Sequence, residues 1–304
     1  MRDPGAPLEI VRIGNGEVEV EVLPEAGARL HRVRAFGAEL LRAPADPRHH
    51  LADPWFWGGY VMAPWCNRVA PGPMALAGRT IDLKANFFDG TAIHGQVMVS
   101  PWRHEGGGRF RIEGGGEGTG WPWPYSVEER VSVDGARLTV QLRLTNTSDA
   151  PMPGGIGLHP WFLKPVRVAI DASGVLSTNV ESPAQPEPVS GDLDRRRLAV
   201  MPDRLDATWT DLADPPVVFE WPGAGVRATM TVEVPALFIV AASPGDKDAV
   251  AVEPQTHAPD GIRRLLKGEP GALSLISPGE TLPLTMRLSF ERTAGGEDAN
   301  AGQT

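Results

Sequence analysis

The chain has a single cysteine, Cys66, in 304 residues. One cysteine excludes an intrachain disulfide framework and a cysteine zinc cluster. Long apolar runs are also missing, and no stretch approaches the roughly 18 residues of a membrane helix. The first residues, MRDPGAPLEIVRIG, lack the apolar segment of a signal peptide. A soluble, cytoplasmic protein with no membrane contact is therefore the expectation. Positive charge is in deficit: 29 Lys and Arg against 38 Asp and Glu leave a net charge of -9. Nucleic acid is an improbable partner, because phosphate backbones are bound by a basic footprint. Tyrosine is scarce, with two residues against nine tryptophans. No H-x-H pattern occurs, which removes the closely spaced ligands of a cupin-like metal barrel built on His94, His159, His257 and Glu253.

Helical periodicity is thin as well. Glycine and proline number 35 and 30, and such punctuation argues against long helices. Gly261 to Lys267 reads as one short helix and the Asp211 region as another. Period-2 alternation dominates instead. EVEVEV sets Val18, Val20 and Val22 against Glu17, Glu19 and Glu21. RLTVQLRLTN and TLPLTMRLSFE repeat the pattern, as half-buried antiparallel strands do. Further strands are expected at 109–113, 125–133, 228–234, 237–242 and 249–253, with turns at Asp89-Gly90 and Asp134-Gly135. The glycine clusters in GGGRFRIEGGGEGTG flank a strand, which indicates a hairpin or surface loop rather than a phosphate cradle. No fixed-period repeat or linker divides the chain. The expectation is one all-β domain over residues 1–292, with few short helices and a disordered tail over 293–304.

Three motifs carry groups suited to chemistry. GIGLHPWF holds His159 between glycines and aromatics. Gly155 and Gly157 are expected to let a strand bend, Pro160 to fix a turn aiming His159, and Trp161 and Phe162 to form its wall. DAVAVEPQT delivers Glu253 at the end of an apolar strand, where a carboxylate must be paired, hydrogen-bonded or shifted in pKa. A salt bridge to an arginine and a general base in a desolvated cleft both fit. APWCNRVAPG offers Asn67 and Arg68, whose amide and guanidinium suit hydroxyls and carboxylates. His94 in TAIHGQV precedes a glycine that permits close approach, and His257 follows Glu253 closely. Trp55, Trp57, Trp65, Trp121, Trp123 and Trp161 lie near prolines and glycines, and flat indole faces suit the C–H faces of a sugar.

WCNRVAPG, AIHG, GLHPWF, RLDATWTDL and VAVEPQT, in that order, resemble the motifs of the aldose 1-epimerase (galactose mutarotase) family, from about Val18 to Phe290. The resemblance implies a large antiparallel β-supersandwich of galactose mutarotase-like type, no metal, no cofactor, and an open cleft for a hexose. It implies His159 as general acid and Glu253 as general base, with Arg68 and His94 on sugar hydroxyls. Asn67 and Trp161 complete the expected substrate contacts. The family's sugar-binding aspartate falls on Asp206, with Asp211 as the alternative. Two departures stand out. Tryptophan replaces the common tyrosine after HP, and ALFIVAAS lacks the glutamine that some members carry before the glutamate.

The competing readings are a hexose-6-phosphate 1-epimerase and a non-catalytic carbohydrate-binding protein on the same fold. A phosphate clamp would need extra arginines, for which Arg263 and Arg264 are the nearby tandem pair. The expected assembly is a monomer or homodimer.

Overall fold

The computed structural model describes residues 7–177 and 185–293. Among them, 18 strands form one large curled sheet, and every ladder between named strands is antiparallel. This is the expected all-β supersandwich. The alternating segments supply its layers. Val18, Val20 and Val22 of the Val18–Leu23 strand are buried, while Glu19 faces solvent. The Arg137–Asn146 and Thr281–Arg292 strands pair so that Leu138, Val140, Leu142 and Leu144 meet Leu288, Met286, Leu284 and Leu282. All eight side chains are buried. Cross-strand apolar pairs of this kind fix register, because a one-residue slip would turn every one of them outward.

Turn chemistry follows the sequence. Asp134 pairs with Arg137 across a two-residue turn, with Gly135 at φ 51°. Gly106, Gly107 and Gly108, all at positive φ, close the hairpin between the Arg103–Gly106 and Arg109–Gly114 strands. The Gly261–Lys267 helix forms where expected and stops at Gly268, φ 68°. The expected helix near Asp211 does not form. Asp211 lies in the Leu205–Trp221 strand, just before the point, past Leu212, where pairing with the Arg167–Ser177 strand shifts register. The buried alternation of Leu205, Ala207 and Trp209 commits that segment to a sheet. The expected tail falls, from residue 294, outside the described residues. Among the described residues no helix is long and apolar enough to cross a membrane.

Tryptophan placement differs from the expectation. Trp65, Trp121 and Trp123 are core side chains, with Trp65 stacked on Trp121 at 5.4 Å. Their neighbouring prolines and glycines shape the loops around a large buried ring rather than expose it.

One core position contradicts its surroundings. Glu129 lies on the Tyr125–Asp134 strand between Val127 and Val131, on their buried face, opposite Phe110 and Leu142. It is 1% exposed, and among the described residues neither carboxylate oxygen has a hydrogen-bond partner. Burial pushes its pKa well above 4.5, so the folded state keeps the proton that the unfolded chain releases. The folded form then binds more protons than the unfolded form at pH values above 4.5. Its stability is intact below the ordinary pKa and falls as pH rises, by up to ~1.4 kcal/mol per unit, until the folded-state pKa is passed. Glu129→Gln removes this titration. Thermal melts of both proteins from pH 5 to 8 are expected to diverge in favour of the variant as pH rises; a constant gap contradicts the assignment.

Candidate active site

The site is built on one defect in the sheet. The Gly157–Leu163 strand pairs on one side with Gly59–Met62, setting His159 opposite Tyr60 and Pro160 opposite Gly59. On its other side it pairs with Ala249–Gln255, through Gly157 with Gln255 and Trp161 with Ala251. That register brings His159 opposite Glu253. Pro160 and Pro254 fall within the unpaired gap, and neither has an N–H to offer a ladder. The expected proline turn is therefore absent: Pro160 sits inside a strand, and its effect is to open the ladder.

Strand alternation then sorts the motif. His159 and Trp161 face the cleft, whereas Leu158 and Phe162 face the core. Phe162 packs on Phe219 at 4.4 Å and is no part of the cleft wall. The glycines serve close packing rather than bending. A Cβ on Gly157 would lie 2.8 Å from Met62 Cε and 2.9 Å from both Cys66 Sγ and Gln255 Cβ. A Cβ on Gly155 would lie 2.2 Å from the His257 ring.

His159 Nε2 lies 3.1 Å from Glu253 Oε1. The two side chains are the buried floor of a cleft of about 500 Å³, at 4% and 2% exposure. Burial, then neighbouring His94, pushes the imidazole well below 6.5. Burial, then the Asp206 carboxylate, pushes Glu253 well above 4.5, against the pull of Arg68. Both effects favour the neutral forms, a carboxyl against an uncharged imidazole. The arginine salt bridge considered for Glu253 is not what it makes. Its Oε2 has no partner among the described residues.

Aromatic rings hold the imidazole. Tyr60 stacks on it at 4.5 Å, Trp161 lies at 5.0 Å, and His94 meets it edge-on at 4.9 Å. Trp161 donates its Nε1–H to the Trp55 carbonyl at 2.7 Å, so the residue replacing tyrosine spends its polar atom on the wall.

Arg68 lies on a short antiparallel pair, Arg68–Val69 with Ala92–Ile93, and Asn67 and His94 flank it. Asn67 and His94 both take left-handed backbone, φ 56° and 60°, a conformation that costs energy outside glycine and clusters at functional sites. The Asn67 backbone N–H donates to His94 Nδ1 at 3.3 Å. Burial and then Arg68 lower His94 to about 3, so the ring is neutral and its remaining proton is on Nε2. Arg68 Nε donates to Asp89 Oδ2 at 2.8 Å, and its NH1 is 3.9 Å from Asp206 Oδ2. Asp206 lines the cleft with these residues. Asp211 is exposed and lies beside Gly174, away from the cleft.

All seven expected site residues thus line one cleft. The remaining candidates are elsewhere. His257 commits both ring nitrogens, accepting from the Cys66 N–H at 2.8 Å and donating to the Ala258 carbonyl at 2.7 Å. Arg264 is buried on the Pro259 and Pro270 carbonyls, and Arg263 reaches the Pro71 carbonyl. Neither arginine lines the cleft. Sequence reasoning missed Tyr60, Phe56, Phe87, Arg204 and Lys247, which do. Tyr60 had one usable signal: it is one of only two tyrosines and stands in a short apolar run, GYVM. Val240, across from Glu253, and Ala242 make this part of the wall apolar.

This site sits in a sequence whose residues 9–289 match the aldose 1-epimerase family profile. The chain belongs to the aldose 1-epimerase family. It is 28% identical over 251 residues to the uncharacterized protein YphB of Escherichia coli K12, covering 76% of this chain and 83% of YphB. Its fold is that of a galactose mutarotase-like protein from Clostridium acetobutylicum, with a TM-score of 0.83 at 17% identity, covering 94% and 96% of the two chains. Galactose 1-epimerase from Lactobacillus acidophilus NCFM shares the fold with a TM-score of 0.75 at 16% identity, covering 96% and 97%.

The packing role of Gly157 is testable. Gly157→Ala forces a methyl against three neighbours and is expected to cost about 1–3 kcal/mol, read as a lowered midpoint in chemical denaturation. An unchanged midpoint contradicts the close-approach account.

Proposed function

We propose that the protein is an aldose 1-epimerase that interconverts the α- and β-anomers of a hexose, with Glu253 as base and His159 as acid. The observation that carries this reading is the 3.1 Å contact between the two groups on the floor of the cleft. Mutarotation removes the proton of the C1 hydroxyl while the ring oxygen gains one. The C1–O5 bond breaks, C1–C2 rotates in the open aldehyde, and the ring closes on the other face with the transfers reversed. Proton transfers alone balance the reaction, so no cofactor is required.

The proton on the pair must move before ring opening. Sugar hydroxyls that donate to Glu253, including its unpartnered Oε2, stabilise the carboxylate and shift the proton to His159. That state has the base ionised and the acid charged at once. Substrate hydroxyls thereby do what bulk water cannot at a buried site. Arg68, the His94 Nε2–H, Asp206 and Asn67 supply donors and acceptors for the remaining hydroxyls. Trp161 and Tyr60 give apolar faces to the sugar's C–H groups.

An unphosphorylated sugar is the better-supported substrate. The tandem Arg263-Arg264 lies outside the cleft, and of the cations that line it Arg68 is bound to Asp89, Lys247 is paired with Asp246, and Arg204 is exposed to solvent. A purely sugar-binding role leaves the buried pair without a purpose, since burying ionisable groups is costly.

Polarimetry of freshly dissolved α-D-glucose, α-D-galactose and a hexose 6-phosphate tests the proposal. Wild type is expected to speed equilibration of a neutral hexose. Glu253→Gln and His159→Asn are expected to lose roughly 10²–10⁴-fold in rate while retaining sugar binding by calorimetry. Absence of acceleration above buffer for every aldose rejects the enzymatic reading, and preference for the phosphate ester rejects the substrate assignment.

A further inference from the structure

Arg29, on the Arg29–Ala35 strand, is fully buried yet does not line the cleft. Its guanidinium donates to four backbone carbonyls: Pro54 at 2.7 Å, Trp57 at 2.9 Å, Met98 at 3.2 Å and Ala26 at 3.5 Å. Among the described residues, no carboxylate hydrogen-bonds or ion-pairs with it. Burial lowers it to about 10, so it remains a cation at neutral pH. A buried cation without a carboxylate partner is an expensive way to tie loops together.

Two routes connect Arg29 to the acid–base pair. The first runs through a ring: the guanidinium carbon lies 4.5 Å from the centre of Tyr60, and Tyr60 stacks on His159 at 4.5 Å. The second runs through backbone. By holding the Pro54 and Trp57 carbonyls, Arg29 fixes the chain on both sides of Trp55. The Trp55 carbonyl accepts the Tyr60 hydroxyl at 3.3 Å and the Trp161 Nε1–H at 2.7 Å. Tyr60 and Trp161 are two of the three rings packed on the imidazole.

We propose that Arg29 is a positioning residue for the pair, a fixed buried cation that braces the rings around His159 and opposes a second proton on the couple. The inference rests on the reading of His159 and Glu253 as the reacting groups. The titratable groups facing His159 are Glu253 from Ala249–Gln255, Tyr60 from Gly59–Met62, and His94 beyond Ala92–Ile93. Arg68 and Asp206 act on Glu253. Arg29 is itself faced by Tyr60, Asp53 and His50. Burial and His94 come first among the effects that lower the imidazole, and Arg29, on the far side of the Tyr60 ring, is the fixed cation that adds to them. Like charge disfavours protonation, so the singly protonated, working form of the pair is kept to lower pH.

The test compares the pH profile of kcat/KM for wild type, Arg29→Gln and Arg29→Lys. In Arg29→Gln the acidic limb is expected to move to higher pH by about half a unit or more. Arg29→Lys keeps the charge, and its limb is expected to stay in place whatever happens to kcat. A slower Arg29→Gln with an unmoved limb overturns the proposal, because a purely structural brace gives that result. Imidazole NMR of His159 in wild type, assigned with His159→Asn, supplies a readout that needs neither turnover nor a folded Arg29 variant. The ring is expected to titrate well below its ordinary 6.5, and titration near 6.5 overturns the inference. Because that measurement is independent of activity, it separates failure here from failure of the mutarotase reading.

Discussion

The ladder break between the Gly157–Leu163 and Ala249–Gln255 strands is the constraint on which the cleft depends. Paired residues on both sides of the gap fix the register, and two prolines keep the middle open. The strands therefore present an imidazole and a carboxyl face to face without backbone bonds between them. Helices or loops seldom place two side chains so rigidly. Here the placement is inherited from the apolar pairs that lock the wider sheet, such as Val140 with Met286 and Leu142 with Leu284. Stability and chemistry share one frame, and the price of that frame is desolvation of both ionisable groups.

Desolvation also sets how the pair behaves. Each group is driven toward its neutral form, and in the proposed reaction the proton they share moves when a sugar enters the cleft. The surrounding groups are arranged around that proton. Neutral His94, held by the Asn67 backbone, offers a donor without adding charge. Arg68 acts on Glu253 while tied to Asp89. The left-handed turns at Asn67 and His94 show where backbone strain is stored to bring these side chains in. Buried Glu129 lies outside this scheme; nothing on the cleft side of the sheet explains its presence in the core.

Much of this was legible in the sequence, for a physical reason. Strand alternation has a period of two and shows in a linear reading, so the strands at 18–23, 137–146 and 281–292 could be placed closely. The seven expected site residues sit in motifs whose composition is unusual for strands or turns. What failed depended on partners distant in sequence. Whether Pro160 makes a turn or opens a ladder is decided by Ala249–Gln255. The burial of Trp121 and Trp123 depends on facing sheets, and the orientation of Phe162 on alternation about a neighbour 57 residues away, Phe219. Tyr60 gains its role only from being opposite His159. Asp206 and Asp211, five residues apart, look equivalent in sequence. What separates them is a distant strand: Asp206 pairs opposite Ala242 at the cleft, whereas Asp211 lies beyond the end of that pairing at Trp209.

The central claim is that His159 and Glu253 act as one unit that shares a proton. A double-mutant comparison of mutarotation rates tests it most directly, using His159→Asn, Glu253→Gln and the combined variant. Groups that act as a unit lose their effect together. The combined variant is therefore expected to be no slower than the slower single variant. Losses that multiply in the combined variant would mean that the two residues work independently, and would contradict the account.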